Sequence, residues 1–465
     1  MKKVVLIEFL LLLFWAGTAG ASTSPDVHEY KLDNGLKLIV KEDHRAPVVV
    51  SQVWYKVGSS YEHDGITGVS HALEHMMFKG TKKYGPGEFS RIISENGGDE
   101  NAFTSQDYTA YFQTLEKSRL PISFELESDR MRNLTLPEAE FKKEIEVVKE
   151  ERRWRTEDDP GSYAYEVLMA TAFQTSPYRQ PTIGWMSDLK TMTDKELRKW
   201  YEKWYAPNNA TVVVAGDVNP DDVFKLAKKY FGPLNKSNLP KIVERPEVKQ
   251  TGIKRAVVKR PAELPELLMA YKTPSLKTAI DSPDKVPEWE PYALEVLSGI
   301  LDGGNSARFE SDLVRGKTIA ASIGLDYSLI SRMDDVMTIS GMPSEGHTVD
   351  ELEQAVRKEI EDLKTNPISE EELDRVKTQV LADEIYQRDS IFYQAMIIGI
   401  LESVGLPWKL VDEYVDKVKE VTADQVQKVA QKYLVDDGLT VVRLDPLPLD
   451  NTKVHQSMGG AGHVR

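Results

Sequence analysis

The chain has no cysteine. That excludes disulfides, thiolate metal ligands, a cysteine nucleophile and anchoring through a lipidated cysteine. Beyond the first 21 residues, no apolar run is long enough to cross a bilayer. An excess of positive charge is also missing: 59 Lys and Arg stand against 74 Asp and Glu, a formal net charge of −15. Such a surface opposes nucleic acid and anionic lipid. It draws cationic partners only weakly, because salt screens exposed charge. Histidine is scarce, at eight residues, so a site built on imidazole has few candidates.

The rest of the composition suits a globular protein, with 41% hydrophobic and 29% charged residues. At 465 residues the chain exceeds what one core serves, and two domains are expected. Residues 1–21 read as a secretory signal peptide. Lys2 and Lys3 form a basic start, Val4 to Trp15 are apolar apart from Glu8, and Ala19-Gly20-Ala21 fits a cleavage site. Export across the inner membrane into the periplasm is therefore expected. Lys2, Lys3 and Glu8 contribute +1, so the mature chain carries −16 and has no stable membrane anchor.

Asp33-Asn34-Gly35 between alternating segments predicts a hairpin, and Val48 to Val57 a further strand. Residues 87–97 read as a short helix and Asn101 to Leu115 as paired strand. Long amphipathic helices are expected from 118 to 155. A phrase then repeats. Lys203-Trp204-Tyr205 leading to Thr211-Val212-Val213 returns as Lys432-Tyr433-Leu434 leading to Thr440-Val441-Val442, at an offset of 229 residues. A duplicated α/β unit accounts for it. The expected division is 26–235 for an N-terminal domain, 236–254 for a linker, 255–447 for a homologous C-terminal domain and 448–465 for a flexible tail.

The segment His71-Ala72-Leu73-Glu74-His75 carries the chemistry. On a helix, positions 71, 74 and 75 share one face. Two imidazoles can then grip one metal ion beside a carboxylate. The spelling H-x-x-E-H is the inverzincin form of the zinc-protease motif. A catalytic zinc site takes three protein ligands, and no other histidine has ligand spacing. The third ligand is therefore read as a carboxylate from the acidic helix. Glu144, Val147, Val148 and Glu151 fall on one stripe, and the apolar pair should bury it. Glu144 and Glu151 would be carried inward, and Glu150 lies off the stripe as a competitor. Glu74 is read as the general base, not a ligand.

With these residues the chain resembles the pitrilysin-type M16 peptidases, which include mitochondrial processing peptidase and insulin-degrading enzyme. The resemblance implies an α+β fold of two homologous α/β domains, each an antiparallel sheet packed with helices, forming a clam-like half-chamber. It implies one zinc per chain, held by His71, His75 and Glu151, the last lying 76 residues beyond His75. Glu144 matches a family glutamate that stands behind the ligands. It also implies a zinc endopeptidase whose peptide or unstructured substrate adds as a strand to a sheet edge. Gly97 to Thr104 resembles that edge, with Asn101, Ala102 and Phe103 as the substrate-binding residues.

One stretch departs from the family. An arginine and, seven residues on, a tyrosine often contact substrate from the C-terminal half. Here the matched positions are Val314 and Ala321; Arg315 is adjacent, and no tyrosine follows at that spacing. In two-subunit members a zinc-less homologue supplies such residues, so a zinc-less partner subunit, or a homodimer, is expected. The alternative function is a weakly active or inactive homologue serving as an assembly subunit or peptide-binding module. The intact Glu74 favours catalysis.

Overall fold

Asn34-Gly35 turns the chain where expected. Gly35 takes φ +93°, and the Asn34 amide donates to the carbonyls of Phe231 and Leu234 at 2.7 and 3.0 Å. The strands on either side, β1 (Val27–Lys31) and β2 (Lys37–Glu42), pair antiparallel. This computed structural model describes residues 26–243 and 245–449. The expected signal peptide and the tail from residue 450 onward lie outside the described residues.

Four more strands complete the first sheet: β3 (Val48–Tyr55), β4 (Asp99–Thr104), β5 (Thr109–Glu116) and β6 (Ala210–Gly216). Their order is β1-β2-β6-β3-β5-β4. The second sheet has β7 (Lys254–Pro261), β8 (Glu266–Thr273), β9 (Ala320–Asp326), β10 (Asp335–Pro343) and β11 (Leu439–Leu447), in the order β7-β11-β8-β10-β9. Without β1, the two orders are the same permutation of the chain. Both sheets are antiparallel except for one parallel pair, β2 with β6 and β7 with β11. The architecture is the mixed α/β arrangement of two helix-packed sheets that the sequence suggested.

The repeat survives in the register. Thr211 pairs with Lys37, and Thr440 with Lys254. The preceding helices, Asp194–Trp204 and Ala423–Tyr433, both begin on reciprocal caps, Thr193 with Glu196 and Thr422 with Gln425. These four cap positions are again 229 residues apart.

Each half covers the other's sheet. The helix Pro160–Ala172 comes from the first half, yet it packs on β11, β7 and β8. Its Ala164, Leu168 and Ala172 share a core with Val258, Leu268, Ala270 and Val442. The helix Ile391–Val404 of the second half packs reciprocally on β6 and β3. Its Ala395 and Ile398 meet Ile39, Val50, Trp54 and Val213. Gly399 permits this approach, because a Cβ there would stand 2.1 Å from the Trp54 ring.

Candidate metal centre

The helix Val69–Met76 follows a loop that is pinned at both ends. Asp188 accepts from the backbone of Gly65 and Thr67 and from the Thr67 hydroxyl, at 3.0, 3.2 and 2.7 Å. The buried Glu62 carboxyl accepts from the backbone N–H of Gly68 and Ser70, both at 2.7 Å. Burial pushes the Glu62 carboxyl up to about 8, so near pH 7 it caps the helix chiefly as an acceptor for otherwise unsatisfied donors. Gly68 itself takes φ +84°, and a Cβ there would meet the Ile183 carbonyl at 2.4 Å. Ala72, Leu73 and Met76 seat the helix in the core. His71, Glu74 and His75 are left on the remaining, partly exposed face.

The acidic helix Glu138–Arg152 packs against this one. Its buried stripe is Phe141, Ile145, Val148 and Arg152, with Glu144 on the inner edge. The expected apolar pair is split by this. Val148 is fully buried, whereas Val147 is 39% exposed. The core contact runs through 141, 145, 148 and 152, and Val147 falls past its far edge. The competitor Glu150 points outward, its side chain 72% exposed and paired with Arg153.

Glu151 Oε2 lies 3.8 Å from His71 Nε2 and 3.4 Å from His75 Nε2. Ligand atoms of all three residues fall within 4.8 Å of one another. Donors about 2.0–2.1 Å from a tetrahedral zinc stand roughly 3.3 Å apart, so this trio fits a zinc ion. His75 Nδ1 faces Glu144 Oε2 at 3.4 Å, the backing carboxylate that metal-binding histidines usually have. Lys79 Nζ holds Glu144 Oε1 at 2.8 Å, and Arg155 holds Glu151 Oε1 at 3.0 Å. Glu74 stands outside the trio. Its Oε2 accepts from the Thr104 hydroxyl at 2.5 Å.

The charges are tightly coupled. Burial and the neighbouring His75 push His71 down to about 4, so it is neutral near pH 7. Burial also opposes a charge on His75, but Glu144, Glu151 and Glu74 outweigh it and lift the ring to about 9. Burial acts against Glu144 and Glu151 as well. The cationic His75, with Lys79 on the first and Arg155 on the second, still brings both down to about 2. Glu74 moves the other way, raised by burial against the Thr104 hydrogen bond.

Thr104 belongs to β4, which among the described residues is an edge strand paired only with β5. Ala102 N–H is taken by the Asn101 side-chain oxygen at 2.8 Å, so it is not spent in the ladder. Phe103 turns the other way. Its ring meets Trp54, Tyr108 and Phe112 on the opposite face of the sheet from Glu74. In the second half, Val314 packs against the core, Ala321 is exposed on β9, and Arg315 donates to the Asn305 carbonyl.

Sequence reasoning missed Thr104, Lys79 and Arg155. Lys79 is four residues beyond His75, and Arg155 four beyond Glu151, so helical spacing could have found both. Thr104 needed the β4–β5 pairing.

Both halves of the chain are similar to known proteins. A family model described as Insulinase (Peptidase family M16) matches residues 37–185, and one described as Peptidase M16 inactive domain matches 191–380. The zinc protease PqqE of Helicobacter pylori is 32% identical over 95% of this chain and 98% of its own length. A crystal structure of a protease from Helicobacter pylori superposes with a TM-score of 0.85 at 32% identity, over 91% of this chain and 100% of that one. The first half of the periplasmic protease PqqL from Escherichia coli shares the fold, with a TM-score of 0.74 at 20% identity, over 90% of this chain and 92% of that one. The chain belongs to peptidase family M16.

Proposed function

We propose that the chain is a zinc endopeptidase that cleaves peptides or unstructured segments laid along β4. The observation that carries this reading is the convergence of His71, His75 and Glu151, with Glu74 bridged to β4 through Thr104. Zinc, when bound by the trio, supplies Lewis acidity toward a carbonyl and a water.

The chain's own residues do the rest. Glu144 and Lys79 fix the His75 ring from behind, and Arg155 fixes the free oxygen of Glu151. The free edge of β4 aligns the substrate backbone, with Ala102 N–H exchanging its bond to Asn101 Oδ1 for one to substrate. Glu74 accepts a proton from the attacking water. It returns that proton to the leaving amine as the C–N bond breaks. Its raised pKa suits a base that must hold the proton between the two steps. Recognition through backbone admits many sequences but requires an extended chain.

The positions of Val314 and Ala321 favour a shared site. A zinc-less M16-like subunit, or a second copy, would supply the missing side chains, and the chain alone would be slow. A chain of low activity with an assembly or peptide-binding role is the alternative. The basic-apolar start at residues 1–21 and the periplasmic fold neighbour support action in the periplasm.

Turnover of a quenched, unstructured peptide tests the reading. Glu74→Gln should retain stoichiometric zinc and lose at least about 10³-fold in kcat/KM. Equal turnover by wild type and Glu74→Gln sinks the assignment of the base. No turnover by wild type with any homologous subunit favours the alternative.

A further inference from the structure

A cavity of about 430 Å³ lies where the second half meets the turn between β4 and β5. Its walls are aliphatic, aromatic and acidic, with Leu276, Leu329, Val380, Ile397 and Leu401 among the first. Tyr292, Tyr327, Tyr393 and Tyr414 line it together with Glu295, Asp383 and Glu384, and among the described residues no Lys or Arg lines it. Tyr108 closes it from the first half, four residues beyond Thr104. The volume is that of a small-molecule site.

One of the three carboxylates is under-compensated. Arg388 Nε holds Glu384 at 2.8 Å. Among the described residues, the Glu295 carboxyl accepts only from the Tyr414 hydroxyl, at 3.3 Å. Protein surrounds the Glu295 carboxyl, and this burial lifts its pKa to about 7. A carboxylate in an apolar enclosure is costly unless a cation reaches it. Asp383 is exposed at the mouth. Tyrosine rings attract cations through their faces, most strongly where water is excluded.

We propose that this cavity binds an organic monocation, an ammonium or guanidinium group on an alkyl stem, with Glu295 as counter-charge and tyrosine rings as walls. A free small amine and a basic side chain of an extended peptide share that chemistry. Tyr108 connects the cavity to the β4–β5 hairpin, so a peptide lying along β4 can present such a side chain. Only this peptide source rests on the endopeptidase reading; cation binding does not.

Calorimetric titration of the full chain with n-butylguanidinium and with the neutral n-butylurea tests the proposal. The expected result is one-to-one binding of the guanidinium, at least tenfold tighter than the urea. Glu295→Gln should weaken the guanidinium at least tenfold and leave the urea unchanged. Two further variants guard against misfolding of the first. Asp383→Asn, at an exposed position, should weaken binding two- to threefold, and Val380→Phe should block it by filling the cavity. Equal binding of the two probes, an unchanged affinity in all three variants, or no saturable heat up to about 10 mM overturns the proposal. A matched pair of extended peptides, one with arginine and one with citrulline, separates the sources. A tenfold preference for arginine that vanishes in Glu295→Gln assigns a peptide side chain. No preference, with the guanidinium still binding, assigns a free amine.

Discussion

The two halves share one strand order and one register, yet among the described residues only one carries a trio that could hold a metal. The comparison is sharpest between two helices. Val69–Met76 packs on Asp194–Trp204, and Trp289–Asp302 packs on the repeat of that helix, Ala423–Tyr433. The first presents His71, Glu74 and His75. The second buries Tyr292, Leu294, Leu297, Ile300 and Leu301. The fold therefore asks only for an apolar face at this position, and the chemistry is a local replacement. Most polar groups there have a partner, Thr104 for Glu74, Glu144 for His75, Lys79 and Arg155 for the carboxylates, and the exception is His71 Nδ1.

Making the first helix more like the second tests this most strongly. His71→Leu should weaken zinc binding by at least about 10³-fold, read by chelator competition, because two ligands remain of three. The metal-free melting temperature should stay level or rise. His71 is neutral near pH 7, and its Nδ1 is buried without a partner, so leucine removes a cost. His75→Leu should lose zinc equally but destabilise the metal-free chain by about 2 kcal/mol, because it strips Glu144 and Glu151 of their shared cation. Equal melting temperatures for the two metal-free variants would break the asymmetry.

The reciprocal helices are the next point of attack. Gly399→Ala places a methyl group against Trp54 and should cost about 2–3 kcal/mol in chemical denaturation. Helix Ile391–Val404 belongs to the second half in sequence and to the first sheet in packing. A single transition for both halves is therefore expected. Two separated transitions, with only the second half shifted, would show that the exchange does not couple them.

The metal-free charge state sharpens the comparison in solution, since no counterpart of His75 exists in the second half. A group raised to about 9 is protonated near pH 7. Zinc must displace that proton, so uptake at pH 7 should release about one proton per chain. Apparent affinity should rise about tenfold per pH unit from roughly pH 7 to 9 and then level off. Calorimetry in buffers of different ionisation enthalpy measures the release; zero protons would contradict the charge assignment.

The duplication was legible because its two copies kept the cap threonines and the strand threonines in step. The pair His71 and His75, with Glu74, was legible through helical spacing, since side chains three and four residues apart share a face whatever surrounds them; spacing left Glu150 beside Glu151, and the family resemblance pointed to Glu151. Other features had no such local signature. Thr104 reaches Glu74 only once β4 lies beside the motif helix. The exchanged helices were hidden because Ala164 and Leu168, or Ala395 and Ile398, say that a face is buried but not by which sheet. Val147 misled for the same reason: a stripe two residues wide leaves its outer edge undetermined.

The segment joining the halves gives the smallest effect and the clearest sign. Glu247, in the expected linker, accepts from the backbone N–H of Gln174, Thr175 and Ser176 at 2.9–3.0 Å and from Lys272 at 2.7 Å. It thereby ties the end of the first half's exchanged helix to β8. Burial would raise its pKa, but Lys272 and the three backbone donors bring it down to about 2. A carboxylate depressed in the folded state stabilises fully above its unfolded value. The contribution shrinks as pH falls below about 4.5 and is gone near 2. Glu247→Gln should cost about 1–2 kcal/mol at pH 7. Its denaturation midpoint should approach that of wild type as pH is lowered from 5 to about 2. A gap between the two proteins that stayed constant across that range would mean that Glu247 holds the halves by shape and not by charge.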